Sequence, residues 1–200
     1  MTFAIIGSGA IGHALATQFA RSKVEAMLAN SRGPASLAEI ARVLGPSIKP
    51  ATTAEALTAD IVILAVPFGA IPETVRPIAD WNGRIAIDAS NAIVFPAFTP
   101  MDLGGRPSSE VVADALPGAR VVKAFNTMPA ALLAADPAEG GGRRVVFLSG
   151  NDAGANGDAA ALIARLGFAP IDLGRLAEGG RLQQFGGPFP IHNLIELPGS

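Results

Sequence analysis

Phe3-Ala4-Ile5-Ile6-Gly7-Ser8-Gly9-Ala10-Ile11-Gly12 joins a four-residue apolar run directly to a G-x-G-x-x-G sequence. Apolar residues at every position of the run suit a strand covered on both faces. Beyond the glycines, Ile11, Leu15 and Phe19 recur at i, i+4 and i+8, which lays one apolar stripe along a helix over residues 10–21. With 23 glycines in 200 residues, three at this spacing say little alone. Set between a strand and an amphipathic helix, each acquires a mechanical role. Gly7 permits the tight turn, Gly9 lets the backbone approach a pyrophosphate, and Gly12 allows the helix to pack closely on the sheet. Ser8, Ala10 and Ile11 complete the loop, where unpaired N–H groups and the positive end of the helix favour an anionic phosphate.

A second informative turn lies about 20 residues further on, after the strand-like run 24–29. A dinucleotide fold that binds NAD usually places Asp or Glu there, to accept hydrogen bonds from the adenosine ribose. Here the residues are Asn30-Ser31-Arg32-Gly33. No carboxylate stands in this turn to repel a 2′-phosphate, Ser31 can donate a hydrogen bond, and Arg32 can form a charge-assisted pair. The turn predicts a preference for NADPH over NADH. The bland alternative is a solvated arginine at a strand end.

The remaining chain repeats the pattern of apolar run, Gly or Pro turn and Ala-rich helical stretch. Further strands are expected at 48–51, 61–66, 84–88, 121–125, 145–149 and 169–173. Helices are expected at 53–57, 109–116 and 153–166, at the first turn marked by Pro72, and from a capping-box spacing at Ser36 and Glu39 up to Gly45. Glu139-Gly140-Gly141-Gly142 reads as a mobile loop before a strand. Alternation of this kind predicts an α/β protein: a Rossmann-like, doubly wound, mostly parallel sheet of about eight strands with helices on both faces. The chain divides into a nucleotide-binding domain over 1–184 and a short Gly- and Pro-interrupted tail over 185–200. Ligands of such sheets lie at the carboxyl ends of the strands. There the chain offers Ala65, Val66 and Pro67, then Asn91, then Asn126 and Thr127. Pro67 and Phe68 are expected to form an apolar wall, and the polar residues to orient a nicotinamide carboxamide or an acceptor. Local turn bonding is the alternative for Asn126 and Thr127. Lys123 falls within a strand, where a buried ammonium needs a partner; edge residue and pocket cation both remain open.

Composition removes several other functions. Fifteen Lys and Arg against 17 Asp and Glu give a formal charge of −2, unlike the basic excess of a nucleic-acid binder. The absence of Cys excludes thiol nucleophiles and Cys-ligated zinc or iron–sulfur clusters. His13 and His192 are the only histidines and have no carboxylate cluster at ligand spacing, so no metal site is expected. No G-x-S-x-G elbow is present. The mean hydropathy of +0.39 comes largely from dispersed alanines, and no run approaches the ~18–20 apolar residues that span a bilayer. With no signal-like start, the expectation is a cytoplasmic protein with neither membrane nor nucleic-acid partner. Ile191, Leu194, Ile195 and Leu197 in the tail suggest packing on a second subunit, so a homodimer is the expected assembly.

Taken together, Gly7–Gly12, Asn30-Ser31-Arg32, Ala65-Val66-Pro67 and Val122-Lys123-Ala124-Phe125-Asn126-Thr127-Met128 resemble the NADPH-dependent coenzyme F420 (deazaflavin) oxidoreductases, short-tailed bacterial type. Phe147-Leu148-Ser149-Gly150-Asn151-Asp152, Leu166-Gly167-Phe168 and Ile171-Asp172-Leu173-Gly174 extend the resemblance to about residue 184. It implies hydride transfer between NADP(H) and coenzyme F420 or a flavin-like acceptor. It also implies that residues 8–11 contact the pyrophosphate, Ser31 and Arg32 the 2′-phosphate, and Pro67 and Asn91 the nicotinamide. The archaeal members it resembles continue into a longer helical segment that helps frame the second coenzyme; here a short tail stands instead. Hydride transfer to a flavin or deazaflavin ring needs stacking at near-attack distance more than a protein acid or base, which agrees with the lack of a catalytic dyad. Two alternatives stay open: a ferric or flavin reductase module like that attached to certain membrane metalloreductases, and a non-catalytic NADP(H)-sensing protein.

Overall fold

A computed structural model describes residues 1–199. The chain runs β1 (Phe3–Ile6), α1 (Ala10–Arg21), β2 (Ala26–Ala29), α2 (Ala38–Leu44), β3 (Ile48–Pro50), α3 (Thr53–Ala56), β4 (Ile61–Leu64), α4 (Ile71–Val75) and β5 (Ile85–Asp88). It continues through a hairpin of β6 (Ile93–Val94) and β7 (Thr99–Pro100), then α5 (Ser108–Asp114), β8 (Arg120–Ala124), α6 (Ala130–Ala134) and β9 (Ala138–Glu139). β10 (Gly142–Gly150), α7 (Ala153–Arg165), β11 (Ala169–Asp172), α8 (Arg181–Gln183) and β12 (Ile195–Glu196) complete it.

The main sheet has the order β11-β10-β8-β5-β4-β1-β2-β3. Its neighbours pair in parallel except at β10–β8, which is antiparallel. This is the Rossmann-like, mostly parallel sheet of about eight strands that the sequence predicts. Because side chains alternate faces along a strand, successive residues enter different cores. Phe3, Ile5, Ile61, Ile63, Ile85 and Ile87 pack on one face with Leu15 and Phe19 of α1. Ala4, Ile6, Val62, Leu64 and Ala86 pack on the other with Trp81 and Ile71. The chain moves outward from β1 to β2 and β3 on one side, then crosses to β4 on the other. The carboxyl ends of β1 and β4 therefore flank the switch point, where an open α/β sheet has its crevice.

Buried polar groups tie the elements together. Gln18, fully buried on α1, donates through Nε2 to the carbonyls of Leu133 and Ala135, each at 2.6 Å, and so fastens α1 to the end of α6. Lys123 is neither an edge residue nor a pocket cation: it is fully buried and donates to Asp88 Oδ2 and to the Ser90 carbonyl, both at 2.9 Å. Asp88 and Lys123 face each other in the β5–β8 register, so the partner that burial requires comes from the adjacent strand. Asp152 caps α7 by accepting from the Ala155 N–H at 2.7 Å. That bond first, and Arg120 beside it, hold its carboxyl below the usual carboxylate range. Its stabilisation is present above the ordinary carboxylate pKa and lost as pH falls through the lowered value.

Several local expectations change. The capping box lies at Thr52 and Glu55 of α3, whereas Ser36 sits in a 3-10 turn, Pro34–Leu37, and bonds to the Gly33 carbonyl and Asn30. Glu39 pairs with Arg42. Gly140 and Gly141 are the turn of the β9–β10 hairpin, and Gly142 pairs with Glu139 as the first residue of β10. Sequence reading also passed over the β6–β7 hairpin, α6 and a π-helical turn, Leu176–Gly180, all too short to show a period. Residues 185–199 fold back on the sheet: Ile195 and Glu196 pair with Arg144 and Arg143, and Phe189 stacks on Phe147 at 4.4 Å. Ile195 is thus in the sheet, while Ile191, Leu194 and Leu197 are exposed.

Asp88→Ala, which strands a buried ammonium, is expected to cost about 3–5 kcal/mol, roughly 10 °C in Tm for a domain of this size. Asp88→Leu combined with Lys123→Met should recover part of the loss. Thermal melts of the three proteins check this; a single variant melting within about 2 °C of the parent would contradict it.

Candidate functional site

The three glycines at the switch point answer to different constraints. Gly7 has φ +111°, and a Cβ there would lie 2.2 Å from the Ala65 carbonyl oxygen. A Cβ on Gly12 would lie 1.9 Å from the carbonyl oxygen of Gly7. Both positions are fixed by the protein's own backbone. Gly9 is not: its φ is −72°, and a Cβ would meet nothing within 4 Å. Its bare surface opens outward beside the start of α1. That helix has no side-chain cap and no acidic residue in its first turn, so its first N–H groups remain available to an anion.

A cleft of about 580 Å³ opens from this turn. Its walls include Gly7, Ser8 and Gly9 from the first turn, Asn30, Ser31 and Arg32 from the second, and Ala65, Val66 and Pro67 after β4. Nine of the predicted residues, far apart in sequence, thus share one surface. Ala10, Ile11 and Gly12 stand behind it in the first turn of α1. Asn30 organises the cleft. It is buried; its Nδ2 donates to Ser8 Oγ at 2.9 Å and to Ser36 Oγ at 3.1 Å, and its Oδ1 accepts from the Arg32 N–H at 2.9 Å. One amide therefore fixes the glycine turn relative to the arginine turn. Ser31 and Arg32 are exposed, and among the described residues the Arg32 side chain has neither an ion pair nor a hydrogen bond. An unneutralised guanidinium at the mouth of a cleft is suited to a phosphate.

Asn91, Asn126 and Thr127 lie away from this cleft, at the ends of β5 and β8. The two asparagines engage each other: Asn91 Nδ2 donates to the Asn126 carbonyl at 2.9 Å, and Asn126 Nδ2 donates to Asn91 Oδ1 at 3.0 Å. Asn126 Nδ2 also donates to the Gln183 carbonyl at 2.6 Å, leaving Asn126 Oδ1 buried without a partner. Phe125, buried with φ +66°, turns the chain out of β8 ahead of this pair. Thr127 is buried and its carbonyl accepts from the Ile191 N–H at 2.7 Å. Phe68 is not part of the cleft wall; it packs against the core containing Ile71 and Trp81, because the 3-10 turn Phe68–Ala70 carries it inward. The cleft also includes Thr53, Ala70, Glu73, Thr74 and Pro77, which sequence reading passed over. Thr53 opens α3 directly after β3, so a search of every strand-to-helix turn would have found it. Glu73 is paired with Arg76 at 2.8 Å. His13 is exposed. Among the described residues no group of three or more His, Asp or Glu could hold a metal ion, and no helix is long and apolar enough to cross a membrane.

A crevice at the switch point, a free helix start and an unpaired arginine at the second turn are the features of a dinucleotide-binding α/β fold, and its relatives fall among NADP-dependent oxidoreductases. Residues 2–92, just under half of the chain, match the family model described as NADP oxidoreductase, coenzyme F420-dependent. The structure of a hypothetical protein from Sinorhizobium meliloti is 57% identical, with 98% of this chain and 96% of that one covered and a TM-score of 0.96. A candidate F420-dependent NADP reductase from Arthrobacter sp. FB24 is 28% identical, with 88% and 86% covered and a TM-score of 0.73. Metalloreductase STEAP3 of Rattus norvegicus is 30% identical over 181 residues, 90% of this chain; the chain spans 35% of the length of that curated relative.

The glycines give a paired test. Gly12→Ala, which drives a methyl into a carbonyl, is expected to lose about 3 kcal/mol of stability or more. Gly9→Ala should melt within about 2 °C of the parent, yet bind NADPH roughly five- to a hundredfold more weakly. Melting curves and calorimetry separate the two; equal affinity of Gly9→Ala and the parent would contradict the assignment of that surface to a ligand.

Proposed function

We propose that the chain catalyses hydride transfer between NADP(H) and a planar deazaflavin or flavin-like acceptor. The observation that supports this most is Gly9: it is the one glycine of the loop that the protein's own packing does not require, and it lies on the cleft that also holds Arg32. Helix α1 directs its free N–H groups at the pyrophosphate. Ser31 and Arg32 hold the 2′-phosphate, with Asn30 acting as a positioning residue through its bonds to Ser8 and to the Arg32 backbone. Ala65, Val66 and Pro67 supply the apolar floor beyond the pyrophosphate. Asn91, half-buried at the end of β5 and held by two hydrogen bonds with Asn126, is assigned to the nicotinamide carboxamide.

A bound reduced nicotinamide supplies the hydride: NADPH, a proton and the oxidised acceptor give NADP⁺ and the reduced acceptor. The protein's part is to orient the two rings at near-attack distance and exclude water, since ring-to-ring hydride transfer needs no protein acid. Reduction of a ferric chelate is a second reading, favoured by the similarity to the rat metalloreductase. Rates of NADPH oxidation with coenzyme F420, flavin mononucleotide and ferric chelates decide between them, with the first two expected to be fastest. No turnover with any acceptor would overturn both readings in favour of a nucleotide sensor.

Arg32→Ala removes one to two charged hydrogen bonds of ~1.5–3 kcal/mol each, so NADPH should bind at least tenfold more weakly, with NADH little changed. Calorimetric titration of both nucleotides checks this; equal losses for the two would remove Arg32 from the 2′-phosphate.

A further inference from the structure

We infer that a second cavity, one strand beyond the cleft, is a subsite for an oxyanion carried by a planar aromatic molecule. The identification of that molecule as the hydride acceptor rests on the function proposed above. The cavity holds about 230 Å³ and lies between the segment after β7 and helix α8. Ala92 lines it, and Ala92 follows Asn91, so the cavity adjoins the asparagine pair at the end of β5.

Three observations describe what it would bind. Ser108 lines the cavity and is 2% exposed, yet its Oγ has no hydrogen-bond partner. Its backbone N–H is already given to Gln184 Oε1 at 3.0 Å, so the hydroxyl is the group left to bond a ligand. A buried hydroxyl without a partner is costly. Next to it are two arginines. Arg106 is paired with Asp114 at 2.8 Å. Arg181 donates through Nε to the Ala177 carbonyl at 3.1 Å, and among the described residues no carboxylate pairs with it. The only acid in the wall, Asp102, accepts from the Gly104 N–H at 3.0 Å. That bond leaves the Asp102 charge in place, so the wall presents one guanidinium without an ion-pair partner and one unsatisfied hydroxyl, a donor set for phosphate or carboxylate, beside one carboxylate.

The third observation concerns the rim. Phe185 lines the cavity and meets Phe98 edge to face at 5.2 Å, and Phe98 meets Phe95 at 5.7 Å. Phe95 is 70% and Phe98 60% exposed. Three rings in contact, two of them mostly in water, form an apolar surface of the kind that a ligand covers. The cavity is smaller than the ~300–1,000 Å³ typical of a site for a whole drug-sized ligand. It suits the anionic end of such a molecule, with the flat ring resting on the phenylalanines.

The test is calorimetry on the NADP-saturated protein with three probes: flavin mononucleotide, riboflavin and carboxymethylflavin. Flavin mononucleotide or carboxymethylflavin should bind about tenfold more tightly than riboflavin, and the tighter of the two tells phosphate from carboxylate. Arg181→Gln should abolish that advantage and Ser108→Ala should reduce it, while riboflavin and NADPH affinities hold within twofold. Equal binding of all three probes, or an advantage that survives Arg181→Gln, would overturn the subsite. NADPH oxidation by flavin mononucleotide that Arg181→Gln leaves unaltered would also overturn it, with hydride transfer still standing. Arg181-dependent binding without any NADPH oxidation would support the subsite and remove hydride transfer.

Discussion

Helix α1 can begin where it does only because residue 12 has no side chain. The Gly7 carbonyl occupies the space that a Cβ on residue 12 would need, at 1.9 Å, so the helix start and the end of β1 are pressed together backbone to backbone. Gly7 repeats the condition against the Ala65 carbonyl at 2.2 Å, which brings the exit of β4 against the same turn. Two missing side chains thus bring β1, α1 and β4 to one point. The first N–H groups of α1 are left facing the crevice between the strands, and the arrangement costs nothing in buried charge.

A second constraint holds the far side of the sheet. The fully buried Asp88–Lys123 pair joins the ends of β5 and β8, and Asp88 Oδ1 also accepts from the Ser90 N–H and Oγ at 2.9 and 2.6 Å. Gln183 donates to the Lys123 carbonyl at 2.7 Å, and the Gln183 carbonyl accepts from Asn126. The asparagine pair is therefore carried by a continuous hydrogen-bonded chain that starts in the core. Buried ion pairs contribute little net stability; the one here fixes the relative height of two strand ends on which polar groups are displayed.

Most of the nucleotide-side geometry was legible because it is local. A strand, three glycines and a helix are consecutive in sequence, and the turn at Asn30 follows at the interval that one βαβ unit imposes. The role of Asn30 was only half legible: its place in the site followed from spacing, but its bonds to Ser8 and Ser36 depend on two turns meeting in space. Lys123 was opaque for the same reason, since its partner lies 35 residues away on a neighbouring strand. Phe68 differs from expectation because it begins a 3-10 turn and packs on the core with Ile71 and Trp81, a tertiary contact that the local sequence does not show. The second cavity could not be seen at all: a helix over 109–116 is expected from the sequence, but Arg181 opens an element three residues long, too short to leave a periodic signal, and nothing local brings it to Ser108.

Ser31 and Arg32 stand exposed at the mouth of the cleft, and the proposed NADP-linked function depends on their holding a 2′-phosphate there. The most direct measurement is calorimetric titration of the unmodified protein with 2′,5′-ADP and with 5′-ADP, two fragments that differ in the 2′-phosphate alone. At least tenfold tighter binding of 2′,5′-ADP, with an advantage that shrinks as salt is added, is the predicted result. Indistinguishable affinities would contradict it.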